Sequence, residues 1–170
     1  MPQRLPLAFY TRDVLDVAPD LIGKVIIRKW EDGSISRHVI SETEAYRGDG
    51  DKACHASKGR TQRTDVMFET GGKVYMYLIY GMYWMLNVVT SVENDPQAVL
   101  VRGFSDQYGP GRITRMLELD RSFYGEDLIL SERLWIEDHG SNPEYSCMPR
   151  IGIDYAGEPW TGKPWRYTMI

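Results

Sequence analysis

The chain has 170 residues, 42% hydrophobic and 26% charged, which is ordinary for a soluble globular protein and enough for one domain, taken as residues 1–170, with its own core. A formal charge of −4 and an isoelectric point near 5.4 argue against bulk electrostatic attraction to nucleic acid and leave a local basic patch as the means of binding it. Cys54 and Cys147 form no CxxC pair and have only His38, His55 and His139 to help, so no structural zinc site is expected and reduced thiols are, while the absence of a signal-like start or of a run near 18 apolar residues predicts a cytosolic, unsecreted chain with no membrane partner.

In chain order, Phe9 to Gly23 predicts one or two short helices. Thr11 or Asp13 can cap the first, Pro19 can open a second and Gly23 can end it, with Leu15, Ala18, Leu21 and Ile22 facing the core. Lys24 to Trp30 predicts a strand, Asp32-Gly33 is the strongest short hairpin signal, and Ile35 to Tyr46 is the return strand. Alternation along its end puts Glu42, Glu44 and Tyr46 on one face and Ser41, Thr43 and Ala45 on the other. Two acids on an inner face need partners or a task. Taken alone, the same residues also fit a solvent-facing edge strand whose charges discourage aggregation.

Arg47 to Gly72 predicts a long, polar, glycine-rich loop with at most a short helix near Gln62 to Glu69, the kind of loop that tends to carry function. In it Asp49 and Asp51 precede a local basic patch of Lys52, Lys58, Arg60 and Arg63 around His55, a pattern an ordinary solvated loop also fits. Lys73 to Thr90 is the most apolar stretch, rich in aromatic and β-branched residues. It predicts two antiparallel strands turning at Gly81, with Tyr80, Met82 and Tyr83 at or near the tip, where large apolar side chains have no core to enter. One long strand with a bulge at Gly81 is the alternative.

Ala98 to Gly103 predicts a buried strand whose one charge, Arg102, calls for a carboxylate. Gly109-Pro110-Gly111 leads into a helix from Arg112 to Leu119, whose start can face an anion with Arg112 and Arg115. Leu134 to Ile136, Arg150 to Ile153 and Trp165 to Met169 predict further short strands. The expected fold is therefore a mixed α/β (α+β) domain, a curved, mainly antiparallel sheet surrounded by helices, with the Tyr80 β-hairpin protruding.

Five separated motifs stand out: Glu42-Thr-Glu-Ala-Tyr46, Ala53-Cys-His55, Tyr75 to Tyr83 with Asn87, Leu100-Val-Arg102, and Arg150-Ile-Gly-Ile153. In order and spacing they resemble the alkyladenine (3-methylpurine) DNA glycosylase family, from about Phe9 to Tyr167. The resemblance implies a monofunctional DNA glycosylase of base excision repair. Such an enzyme flips alkylated or deaminated purines out of duplex DNA and hydrolyses the N-glycosidic bond with a Glu-activated water, leaving an abasic site and using no metal or other cofactor. It implies Glu44 as the general base, with Arg102 and the backbone carbonyl of Ile151 completing the water's cradle. Tyr46, His55 and Tyr77 are the implied walls around the flipped base, and Asn87 the pocket-floor residue that crowds the amine of normal guanine. Tyr80 is the residue implied to enter the gap left in the DNA, with Met82 and Tyr83 beside it in the minor groove.

Glu42 is expected to be a support residue, because Glu44 must be ionised beside it and Arg102 must compensate. Arg112, Arg115, Lys163 and Arg166 are candidate contacts to the DNA backbone on charge and position. The implied partner is double-stranded DNA containing damaged purines. A monomer is expected, in a bacterial-type cytoplasm in association with the nucleoid or in a nucleus. Two other readings remain open: a non-catalytic module that stacks nucleobases on the same aromatic surface, and a metal-dependent hydrolase built on Glu42, Glu44 and His55.

Overall fold

The computed structural model describes residues 1–170 apart from the side chain of Asp49, so that acid of the basic loop lies outside the described residues. A short strand β1 (Gln3–Arg4) and a single turn of helix α1 (Leu7–Tyr10) lead to α2 (Val14–Asp20). Asp13 caps α2 by accepting the Leu15 N–H at 2.8 Å, which satisfies one of the free donors of the first turn. Val14, Val17, Ala18, Leu21 and Ile22 are buried, whereas Leu15 is only half-buried. Pro19 does not open a second helix: it lies in the last turn of α2, where its missing N–H costs one bond near the helix end.

Strand β2 (Val25–Lys29) turns back through Asp32-Gly33 into β3 (Ile35–Tyr46), the range the alternation predicts. Asp32 accepts from both the N–H and the hydroxyl of Ser34. Next come β4 (Val74–Ile79), β5 (Tyr83–Thr90), β6 (Gln97–Phe104), β7 (Gln107–Tyr108), α3 (Pro110–Met116), β8 (Leu134–Asp138), β9 (Tyr145–Met148) and β10 (Arg166–Met169). The strands join in one ten-stranded sheet of order β1-β8-β2-β3-β6-β5-β4, with β10 against β3 and β9, and β7 against β6. Its named strand pairs run antiparallel.

This topology removes the edge-strand reading of residues 41–46. β6 flanks β3 on one side from Ile40 to Tyr46, while β10 pairs with Glu42 to Glu44 and β2 with Ile35 to Val39. An irregularity at Glu42 interrupts the β3–β6 register, the kind of bulge that re-aims side chains beside functional sites. Alternation then sorts the two faces. Ala45, Val74, Leu86, Val88, Val99 and Val101 join the main core with α2 and α3, and Thr43 donates its hydroxyl to the Ala18 carbonyl of α2 at 2.8 Å. Tyr75, Val89 and Ala98 instead form a second buried cluster with Cys54, Ala56, Val66 and Met67 of the 47–72 loop.

β4 and β5 pair directly, Ile79 opposite Tyr83, so the chain reverses at Tyr80-Gly81-Met82. Helix α3 starts at Pro110 rather than Arg112 and stops at Met116. It packs beside Tyr83 because residue 111 is glycine: a Cβ there would lie 2.9 Å from the Tyr83 ring. Two further expectations need correction. Arg150 to Ile153 is not a strand but a bend before a 3-10 turn at Asp154–Ala156. The 47–72 loop carries 3-10 turns at Gly48–Gly50, His55–Lys58 and Asp65–Phe68 rather than one helix. The helices are also few and short, three α-helices of at most seven residues among the described residues, and they cover the core side of the sheet rather than surround it.

Candidate active site

On the sheet face away from α2 is a cavity of about 510 Å³, within the rough 300–1,000 Å³ of small-molecule sites. Its walls include Tyr46 from β3, His55 from the loop, Tyr75 and Tyr77 from β4, Asn87 from β5 and Arg102 from β6, with Tyr80, Ile151 and Tyr155 at other points of its lining. Strands β4 and β5 deliver every second side chain to this face, so Tyr75, Tyr77 and Asn87 arrive together with Tyr75 opposite Asn87. The Asn87 amide donates to the carbonyls of Tyr75 (3.2 Å) and Met85 (3.4 Å), which fixes it in a 2% exposed position.

Aromatic groups hold one another. His55 meets Tyr77 edge-on at 4.5 Å between centroids, and its Nδ1 lies 3.0 Å from the Tyr75 hydroxyl. Burial, reinforced by Arg63 and Lys58, pushes the imidazole down to about 4, so His55 is neutral at neutral pH. Burial likewise drives the Tyr46 and Tyr77 hydroxyls well above their usual range. The site therefore presents neutral, electron-rich rings.

Glu44 is fully buried and sits behind this lining. Arg102 Nη1 donates to its Oε1 at 3.0 Å and the Ile151 N–H to its Oε2 at 2.9 Å. Burial raises the carboxyl above its ordinary value, and Arg102, the Ile151 N–H and Arg150 pull only part of the way back. Each carboxylate oxygen receives one side-chain or backbone donor and keeps a second lone pair. Ile151 thus meets Glu44 through its N–H. Glu42 does not face the cavity; its Oε1 accepts from Arg102 Nε and Arg166 Nη1, both at 3.2 Å. Arginines therefore occupy the space that a metal bridging Glu42 and Glu44 would need, and His55 is tied to Tyr75.

The remaining candidates lie at the rim of the cavity or beyond its lining. Tyr80 is 87% exposed and Met82 59%, and Tyr83 is half-buried under Arg115, whose guanidinium lies 5.9 Å from its ring. Arg112 is exposed and Lys163 stands 5.8 Å over the Trp165 ring. Arg166 is engaged by Glu42 and the Pro149 carbonyl, so it is not a free cation for a phosphate.

One pair escaped the sequence reading. Arg150 and Asp51, both buried, make two contacts of 2.6 and 3.0 Å, and Arg150 also donates to the Ala45 carbonyl at 3.0 Å. Its guanidinium lies 5.0 Å from the Tyr46 ring and 4.9 Å from that of Trp165. This pair pins the 47–72 loop to the Ile151 segment, so it holds the His55 wall and the Glu44 tether in one piece. Tyr155, whose hydroxyl donates to the Ala53 carbonyl at 2.7 Å, closes the same corner. The available signals were an arginine inside an apolar motif and an acid in the loop, about a hundred residues apart.

A sequence profile described as methylpurine-DNA glycosylase matches residues 8–107 and 105–170. A protein of Psychrobacter cryohalolentis is 42% identical over 96% of this chain and 89% of its own length. One of Methanocella arvoryzae is 40% identical over 96% and 90%, and one of Sodalis glossinidius 43% over 98% and 96%. All three bear the name "Putative 3-methyladenine DNA glycosylase".

Proposed function

The chain belongs to the methylpurine-DNA glycosylase family, and from that premise we propose that Glu44 activates the water that releases a purine base flipped into the aromatic cavity. As a 3-methyladenine DNA glycosylase it is a hydrolase of the N-glycosidic bond acting on DNA. The carrying observation is the double tether of Glu44, at 3.0 and 2.9 Å, behind a cavity lined by Tyr46, His55 and Tyr77.

The target is an alkylated or deaminated purine in duplex DNA. Flipping costs a few kcal/mol, less for a damaged or mispaired base, and Tyr80 on the projecting tip offsets it by filling the vacated stack. Alkylation at a ring nitrogen makes the base cationic, and each good ring contact favours such a cation by about 0.5–2 kcal/mol. A neutral His55 adds no opposing charge. Asn87, held by two carbonyls, crowds the exocyclic amine of normal guanine.

Water attacks the anomeric carbon as the bond to the purine breaks. The electron pair of that bond goes to the base, and the water's proton goes to ionised Glu44. The developing oxocarbenium character is stabilised by the same carboxylate, while Arg102 holds it in place. The partner is DNA with damaged purines, and the protein works as a monomer in the cytoplasm at the nucleoid or in a nucleus.

Glu44→Gln tests this directly. Duplexes carrying 3-methyladenine, 7-methylguanine, ethenoadenine or hypoxanthine should lose free base with the natural protein and not with the variant. Base release surviving the change would remove Glu44 as base.

A further inference from the structure

Neither Glu42 nor Arg166 lines the cavity, yet both are wired to Glu44. Arg166 of β10 stands in register with Glu44 of β3. Its Nη1 donates to Glu42 Oε1 at 3.2 Å, the same oxygen that takes Arg102 Nε at 3.2 Å, and Arg102 Nη1 continues to Glu44. The Arg166 Nε also donates to the Pro149 carbonyl at 2.8 Å, two residues before the N–H that forms the other tether of Glu44. Arg166, Glu42 and Arg102 are 17%, 14% and 15% exposed, against 0% for Glu44 at the inner end.

We propose that Glu42 and Arg166 are positioning residues for base release: the alternating chain Arg166, Glu42, Arg102, Glu44 aims the Arg102 guanidinium and sets how readily Glu44 ionises. This inference rests on Glu44 being the base. The charged groups and donors at Glu44 are Arg102 from β6 and Arg150 with the Ile151 N–H from the segment after β9, while Glu42 on its own strand and Arg166, in register on β10, reach it through Arg102. The neutral hydroxyls of Tyr46, Tyr77 and Tyr155 complete its surroundings.

The signs follow from charge. Without the Glu42 charge a like neighbour is gone and Arg102 serves Glu44 alone, so Glu44 ionises more readily. Without the Arg166 charge a cation is lost and Glu42 is freed to repel, so Glu44 ionises less readily. A purely structural clamp between β3 and β10 would not produce opposite shifts.

The experiment is single-turnover release of 7-methylguanine from a duplex across pH. That base is already cationic and leaves without a proton, so the acid limb reports Glu44. Glu42→Gln should move the limb down by roughly 0.5–1 pH unit and Arg166→Gln up by about as much. The double variant should lie between the two single variants, because their opposite shifts offset each other. Glu42→Asp, which keeps the charge on a shorter arm, should slow the reaction with the limb unmoved. Single variants that leave the limb in place, or move it the same way, would overturn the proposal whatever they do to the rate. If Arg166→Gln does not fold, the Glu42→Gln and Glu42→Asp pair decides. Activity surviving in Glu44→Gln would instead sink the base assignment on which the inference rests.

Discussion

Glu44 and Tyr80 are held in opposite ways. Glu44 is 0% exposed, sits on a strand paired on both sides, and has a donor on each oxygen. Tyr80 is 87% exposed, makes no side-chain hydrogen bond among the described residues, and is fixed by its backbone, with φ of 52° next to Gly81 at 66°. A left-handed aromatic residue costs about 1–2 kcal/mol and implies that the turn dictates the conformation. The contrast fits the tasks proposed for the two residues. A group that must meet developing charge has to be oriented before the substrate arrives, whereas a wedge needs only to be presented and can adapt its ring to the stack it enters.

The largest effect should come from the buried end. Glu44→Gln should slow base release by about 10²–10⁴-fold, the usual contribution of a general base. The same substitution carries a stability signature. A carboxyl whose folded pKa is raised binds its proton more tightly folded than unfolded. Its contribution is therefore full below the unfolded pKa and lost as pH rises through the folded one. The unfolding midpoint of Glu44→Gln, measured against the natural protein, should thus rise from acid to neutral pH, and base release by the natural protein should fall off at a pH above the ordinary carboxylate range. A midpoint difference independent of pH would show that the carboxyl is not held high.

Next in size is the pair that supports this end. Asp51→Asn leaves Arg150 buried without its counter-charge, and breaking such a pair costs about 3–5 kcal/mol. Urea unfolding should show that loss, and His55 should lose its neutral, protected state because the loop carrying it is no longer pinned. A loss below about 1 kcal/mol, the scale of an exposed pair, would mean that the loop is held by the Cys54 and Met67 cluster alone.

How far each end was legible in the sequence follows the same division. β3 was readable to the residue because Asp32-Gly33 starts it and alternation marks its faces, and the β4–β5 reversal was readable from Gly81. What alternation could not say was whether β3 lies inside the sheet, because that depends on β10, more than a hundred residues away. The Arg150 motif was noticed but misread as a strand: four residues with two isoleucines look extended, and only the tie to Asp51 explains why they bend. Pro19 misled for a local reason, since a proline suits the first turn of a helix and here stands in the last turn of a short one. The roles of Glu44, Tyr46, His55 and Tyr77 came from the family likeness. The convergence of Tyr46 and Tyr77 on one cavity face, by contrast, follows from the pairing of β3, β6, β5 and β4.

At the exposed end the effects should be smaller and should separate activity from stability. Tyr80→Ala removes one stacking contact, worth about 1–3 kcal/mol per base, so release from duplex DNA should fall by roughly 10–100-fold. Release from an unstacked single strand should fall much less. Tyr80→Asn should lose activity comparably yet gain up to about 1 kcal/mol of stability, because asparagine tolerates the left-handed backbone that tyrosine occupies under strain. Equal unfolding midpoints for the two variants would mean that the turn carries no strain. The tip would then be free to reorient its ring from the backbone outward, and the contrast with Glu44 would be one of burial alone.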